Sequence, residues 1–345
     1  MSLQKMILRL VLSLPESWLV KMAGGKPIEI DGRVMDARAQ FLGAQGAKGP
    51  SIRDMTVAQM RAASDTGFEL MNAAPRPDIL VTDISIPTSA GRLNARRYAP
   101  AQASAALPGL VYYHMGGCVI GNLETCHSFC TLLSEIAGCV VLSVDYRLAP
   151  EHKFPAAVDD AIAAFRWAKA NAVTLGILPG NIAVGGDSAG GYLSAIVAQT
   201  MKSAGEQGPS VQLLIYPMTD TESQDGSMKS CAEVYPLTSE VMDWFMGHYL
   251  NNPDEARDHR ASPMRMSDLT GLPRAIIATA GFDPLRDQGA AYATRLREAG
   301  VPVVYRCYDR LVHAFTAMGG VIPGAQKACE ELALDLAGAL RASGK

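Results

Sequence analysis

The 345-residue sequence predicts an α/β fold: a mostly parallel eight-stranded sheet with helices on both faces and a helical cap. Three observations predict it. From residue 79 onward, short runs rich in Val, Ile, Leu and Tyr alternate with helix-like segments, the pattern that builds a parallel sheet covered on both faces. About 75 residues of helical, Gly-interrupted sequence come before this alternation, and a polar, Met-rich stretch interrupts it at 218–270. A GxSxG pentapeptide, Gly186, Asp187, Ser188, Ala189 and Gly190, stands between a strand-like run and a helix-like run.

In chain order, Leu3, Met6, Ile7, Leu10, Val11 and Leu14 fall at helical spacing as one amphipathic face. Arg9 interrupts this apolar run and no small-residue cleavage site follows, so a signal peptide is not expected. Gly24, Gly25, Gly43, Gly46 and Gly49 mark flexible connections, and Thr56 with Gln59 has capping-box spacing ahead of a helix running to about residue 73. Strands are predicted at 79–86, 93–98, 109–114, 139–145, 181–185, 211–216, 274–280 and 301–308. Helices are predicted at 123–137, 156–172, 189–203, 287–299 and 325–342. The first two strands have no helix between them and are expected to form an antiparallel edge. Functional residues of such sheets lie just beyond the carboxyl ends of the strands.

Bulk properties lend no support to several function classes. Lys and Arg total 31 against 34 Asp and Glu, and a formal net charge of −3 gives no electrostatic reason to expect nucleic acid or an anionic membrane as partner. The densest basic stretch, 257–265, is interleaved with acids and reads as a solvated surface. Seven cysteines, odd in number and without CxxC spacing, suggest neither a disulfide framework nor a zinc site; a reduced, cytoplasmic setting is expected. No run of about 18 apolar residues indicates a membrane span.

Ser188 follows the fifth predicted strand and opens a helix whose inner face includes Ala189, Leu193, Ile196 and Val197, the context in which a tight turn exposes a nucleophilic Oγ. About 0.2 GxSxG pentapeptides are expected by accident at this composition, and a Gly/Ser turn before a helix is also an ordinary N-cap, so the context carries the inference. A serine nucleophile needs a base and a carboxylate to orient that base. His313, in the loop after the last strand, is the natural base, whereas His127, His248 and His259 read as surface or packing residues and His152 as a structural one. Asp283, at the end of the seventh strand, is the candidate acid, with Asp287 competing for the role. Oxyanion donors are expected from the small-residue loop His114, Met115, Gly116, Gly117, Cys118 and from the N–H of Ala189.

Together these motifs resemble the bacterial hormone-sensitive-lipase-like esterases, family IV of the α/β-hydrolases. The family pattern HGGG corresponds to residues 114–117, GDSAGG to 186–191, DPLRDEG to 283–289, HGF to 313–315, and DYRLAPEHKFPAA is present at 145–157. The order Ser188, Asp283, His313 is that of α/β-hydrolases. The resemblance implies an α/β-hydrolase fold with no metal or organic cofactor. Its catalytic domain would span 76–217 and 271–345, with an N-terminal helical cap at 1–75 and a second cap insertion at 218–270. It implies Ser188 as nucleophile, His313 as base and then acid, Asp283 as orienting acid, and Gly116, Gly117 and Ala189 as the oxyanion hole. His114 and the segment 145–150 would be structural.

Four positions depart from the family pattern: Met115 and Ala314 stand for glycines, Cys118 for an aromatic, and Gln288 for a glutamate. Cys118 is expected to be a small apolar pocket residue, with a second nucleophile or redox switch as the sharper alternative. The function so implied is a serine carboxylesterase acting on small-molecule esters with short to medium acyl chains. Lactones, amides and acetylated metabolites stay open as substrates, as does a receptor-like binding protein on the same scaffold. Met218, Met228, Met242, Met246, Met264 and Met266 would either line an adaptable pocket or pack in a core. A homodimer through the sheet edge is a further implication of the resemblance.

Overall fold

The computed structural model describes residues 2–224 and 226–344. A small hairpin, β1 (Glu29–Ile30) and β2 (Arg33–Val34), lies within the N-terminal helices. The main sheet then forms from β3 (Ile79–Thr88), β4 (Gly91–Pro100), β5 (Leu107–Tyr113), β6 (Val140–Asp145), β7 (Ile177–Asp187), β8 (Val211–Ile215), β9 (Arg274–Phe282) and β10 (Val303–Val312). Its strand order is β10-β9-β8-β7-β5-β6-β4-β3. β4 runs antiparallel to both β3 and β6, and every other pairing is parallel. The expected antiparallel edge is therefore present as β3 and β4.

The chain steps from β5 to β6 on one side and then crosses back, so that β7 pairs with the other side of β5. A crevice opens at such a reversal. Tyr113, the last residue of β5, lies beside Gly186 of β7, so the loops leaving these two strands emerge next to each other. The central strands β5 to β9 are almost wholly buried, as their continuous apolar runs require when both faces are covered. Helices Ala156–Ala170 and Ala189–Ser203 pack on one part of this core, and His127–Ala137 and Pro323–Ser343 on another.

Three expectations need correction. The helix expected from 123 begins at His127, because Asn122 and Thr125 satisfy local backbone donors in a turn: Thr125 Oγ1 accepts from the Asn122 N–H and Asn122 Oδ1 from the Glu124 N–H. β10 runs on to Val312, past the expected end at 308, through the charged residues Asp309 and Arg310; it is an edge strand, so it tolerates polar side chains that mask its pattern. The apolar face of the first helix, Leu3–Leu12, is split: Leu12 is buried and Leu8, Val11 and Leu14 pack on the core, while Leu3, Met6, Ile7 and Leu10 face outward. The capping box of Thr56 and Gln59 is formed, and its helix ends at Met71. Among the described residues no helix is long and apolar enough to cross a membrane.

Candidate active site

Ser188 sits between the end of β7 and the helix Ala189–Ser203, with φ 55° and ψ −116°. A non-glycine residue rarely adopts this conformation, and it is held here by its neighbours: the Ser188 N–H donates to the Ile215 carbonyl at 2.8 Å. The flanking glycines let the turn close. A Cβ on Gly190 would lie 1.8 Å from the Tyr113 carbonyl oxygen, and one on Gly186 would lie 2.4 Å from the same oxygen. The GxSxG spacing thus reflects how closely the start of the helix passes the end of β5.

The structure brings Ser188, His313 and Asp283 together. His313 Nε2 is 2.9 Å from Ser188 Oγ, and its Nδ1 is 2.7 Å from Asp283 Oδ2. All three residues are buried. The other oxygen of Asp283, Oδ1, accepts from the Leu285 N–H at 2.8 Å, which fixes the carboxylate as the chain turns out of β9. Asp287, the competing acid, points elsewhere: its carboxylate pairs with the Arg286 guanidinium and accepts from the Ser227 N–H. The remaining histidines stand apart from this group. His127 bonds the Tyr98 hydroxyl, the His248 ring donates to the Trp244 carbonyl, and His259 lies beside Asp258.

Gly116, Gly117 and Ala189 border the same cavity as Ser188 and His313. Ala189 is the first residue of its helix, where backbone N–H groups have no intrahelical acceptor. The loop carrying the two glycines is held from beneath. Burial pushes the His114 pKa down, which keeps the ring neutral; its Nδ1–H donates to the Met115 carbonyl at 2.7 Å. Tyr146, from the 145–150 segment, stacks on that ring at 4.3 Å and its hydroxyl donates to the His114 carbonyl. From the N-terminal helix Val57–Met71, Arg61 donates to the Val119 and Ala149 carbonyls and pairs with Glu151.

The four departures from the family pattern have separate outcomes. Met115 lies outside the residues with positive φ, so its position accepts a side chain, which borders the cavity. Gln288 keeps the acceptor role of a carboxylate, its Oε1 taking the N–H groups of Thr219 and Asp220. Ala314 sits at φ 62°, a left-handed conformation that suits glycine better. Cys118 departs from expectation: it does not border the cavity but is fully buried among Tyr146, Tyr192 and Tyr249, because the positive φ of Gly116, Gly117 and Cys118 turns the loop inward. Burial pushes its thiol up to about 12, against a hydrogen bond from Tyr249, and this disfavours a nucleophilic thiolate.

The cavity above Ser188 has a volume of about 1050 Å³ and a mostly apolar lining. Of the six methionines singled out at 218–266, Met218, Met242 and Met246 border it. Met264 and Met266 instead pack beside Leu269 and Leu272, and Met228 packs on the core with its Sδ 3.9 Å from Gln288 Nε2. Among the described residues no group of His, Cys, Asp and Glu is placed to hold a metal ion.

Two features escaped the sequence reading. Behind His313, Asp187 accepts from the Tyr216 hydroxyl at 3.0 Å and the Thr316 hydroxyl at 2.7 Å, and the Tyr216 ring lies 4.7 Å from the His313 ring. Asp187 stood inside the pentapeptide, so a polar residue beside the nucleophile was the available signal; Tyr216 and Thr316 gave none. The second is Phe245, from the helix Ser239–Tyr249, which packs on Gly117.

Residues 110–317 match a family described as having the alpha/beta hydrolase fold. The chain is 44% identical to the carboxylic ester hydrolase LipN of Mycobacterium tuberculosis, over 85% of this chain and 80% of that protein. It is 38% identical to the ethyl acetate hydrolase of Pseudomonas putida, over 77% of this chain and 85% of that one. Among solved structures, the ester hydrolase EH1AB1 from the Lake Arreo metagenome, complexed with a derivative of bipyridine phosphonate, superposes with a TM-score of 0.85 at 40% identity. That match covers 94% of this chain and 98% of the other. With these similarities and the geometry at Ser188, the chain belongs to the α/β-hydrolase family, among its bacterial hormone-sensitive-lipase-like esterases.

Proposed function

We propose that the protein is a serine carboxylesterase in which Ser188 is the nucleophile, His313 the general base and acid, and Asp283 the orienting carboxylate. The observation that carries this reading is the continuous hydrogen-bonded chain from Asp283 through His313 to Ser188 at the floor of an apolar cavity. His313 Nε2 accepts the Ser188 proton as Oγ attacks the ester carbonyl carbon, and the N–H groups of Gly116, Gly117 and Ala189 stabilise the oxyanion. As the tetrahedral intermediate collapses, the imidazolium protonates the leaving alcohol. Water, deprotonated by His313, then releases the carboxylic acid and restores Ser188. Asp283 holds the imidazole in the tautomer that leaves Nε2 free to accept.

Residues 1–75 and 218–270 act in this reading as two cap segments over the α/β domain of 76–217 and 271–345; side chains from both segments border the cavity, among them Met60, Phe68, Met242 and Phe245. Short to medium acyl esters are the proposed substrates. The cavity volume of about 1050 Å³ lies at the upper end of ordinary ligand pockets, and a relative is named for ethyl acetate. The free thiols at all seven cysteines support a reducing, cytoplasmic compartment. A homodimer is proposed through β10, which is hydrogen-bonded to a neighbouring strand on one side only.

The test is covalent labelling. A fluorophosphonate is expected to add once, at Ser188, and to abolish hydrolysis of p-nitrophenyl esters, with Ser188→Ala folded, unlabelled and inactive. A folded Ser188→Ala that retains turnover rejects the assignment.

A further inference from the structure

The described residues expose fifteen large apolar side chains, and eight of them lie between residues 3 and 34. Scattered singly, such residues are ordinary; this concentration in a tenth of the chain is not. The helix Leu3–Leu12 accounts for half of the eight, with Leu3 66%, Met6 51%, Ile7 51% and Leu10 69% exposed. Their spacing places them on one stripe, opposite the Leu8, Val11 and Leu12 side that packs on the core. A helix apolar on both sides has one face in the protein and the other prepared for an apolar medium. The following helix, Glu16–Met22, adds Trp18 and Met22, and the exposed apolar run reaches the rim of the ester cavity at Ile28 and Ala23.

Charge distinguishes the two surfaces that would cover such a face. Over the same residues, 3–34, Lys5, Arg9, Lys21, Lys26 and Arg33 stand against Glu16, Glu29 and Asp31, an excess of two positive charges on a chain whose formal net charge is −3. A second copy docked by symmetry would bring this positive segment against itself. An anionic lipid surface would instead attract it, and basic residues beside Leu, Ile and Trp are the composition of helices that lie in a membrane interface. The balance of the whole chain conceals this local excess.

We infer that the N-terminal helices dock on an anionic lipid surface, with Leu3, Met6, Ile7, Leu10, Trp18 and Met22 immersed and the rim of the ester cavity held at the boundary. An apolar ester dissolved in the lipid then reaches the cavity along Ile28 and Ala23 without crossing bulk water. The use of the docked position rests on the esterase reading; the docking itself does not.

The experiment is co-sedimentation of the full chain with phosphatidylcholine vesicles and with mixed phosphatidylcholine–phosphatidylglycerol vesicles, alongside the emission of Trp18 measured against a Trp18→Phe variant. Binding to the anionic vesicles is expected to exceed binding to the neutral ones by about tenfold, to weaken with salt and to shift Trp18 emission to the blue. A triple variant, Leu3→Asp, Ile7→Asp and Leu10→Asp, is expected to stay folded, to lose vesicle binding and to keep its hydrolysis of soluble p-nitrophenyl acetate. Ser188→Ala should bind vesicles like the wild type, so failure of the docking and failure of the esterase reading are seen separately. Equal sedimentation of wild type and triple variant overturns the inference. So does a concentration-dependent dimer that the triple variant abolishes while neither vesicle binds, because the covering surface is then a second copy.

Discussion

The Phe245 ring packs so closely on Gly117 that a Cβ at Gly117 would come within 2.5 Å of it. Gly117 belongs to the proposed oxyanion loop, so a side chain of the proposed cap directly limits the space beside the reacting carbonyl. Phe245→Ala is expected to raise kcat/KM for esters with a branched acyl or alcohol group by about tenfold relative to the acetate, the scale of a few methylenes in an apolar pocket. Loss of ring packing should cost about 3 kcal/mol of stability, read by denaturant unfolding. An unchanged preference across a panel of p-nitrophenyl esters would remove Phe245 as a determinant. Gly117→Ala, forced against the ring and into a left-handed backbone conformation of φ 60°, is expected to cut turnover far more than it alters preference.

Cys118 makes the opposite prediction from an exposed pocket thiol. It is fully buried and its pKa is raised to about 12. Iodoacetamide applied to the folded protein should leave Cys118 unmodified by peptide mass analysis, with turnover intact. Cys118→Phe, which restores the aromatic of the family pattern, should overpack the cluster of Tyr146, Tyr192 and Tyr249 and destabilise the fold by about 1 to 3 kcal/mol. A stable Cys118→Phe with a smaller cavity would mean that the side chain reaches the pocket after all.

The residues of the site were legible in the sequence where backbone geometry demands particular residue types. Gly186 and Gly190 are glycines because the Tyr113 carbonyl leaves no room for a Cβ, and that requirement appears as a motif. His313 and Asp283 were legible from their positions after strand-like runs, Asp283 being preferred to its competitor Asp287 because it stands nearer the strand end. The side-chain directions agree with that preference, one toward His313 and the other toward Arg286. The environment of Cys118 was misread for a related reason: three successive positive φ values reverse the loop, and only the glycines signal such values. The outward stripe of the first helix was hidden as well, since periodicity reports which residues share a face and not which face the core takes.

Ala314 follows the proposed base and holds a left-handed conformation at φ 62°. An L side chain there carries steric strain of about 1 to 2 kcal/mol, while glycine carries about 0.5 to 1 kcal/mol of added chain entropy in the unfolded state. The two effects oppose each other, and the strain is the larger. Ala314→Gly is therefore expected to leave stability unchanged or raise it by up to about 1 kcal/mol, measured as the shift in thermal midpoint, with turnover retained. A loss of more than about 1 kcal/mol would show that the Ala314 methyl contributes packing that outweighs its strain.

Asp283 and Asp287 lie four residues apart, and exchanging each for asparagine separates a chemical role from a structural one. Asp283→Asn keeps the shape of the side chain but offers an amide to His313 Nδ1, favouring the tautomer in which Nε2 carries the proton and no longer accepts from Ser188. Turnover is expected to fall about 10⁴-fold, as for the corresponding change in other triads, with little change in KM. Asp287→Asn acts at a distance from the reacting atoms. It weakens the pairing with Arg286, whose guanidinium also holds Asp31 of the N-terminal hairpin and the Gly281 carbonyl at the end of β9. Because Arg286 is buried, loss of that charge partner should lower stability by about 1 to 3 kcal/mol while turnover stays within about tenfold of the wild type. The assignment of the acid fails if the two variants exchange these outcomes: a stable, nearly inactive Asp287→Asn together with an active Asp283→Asn.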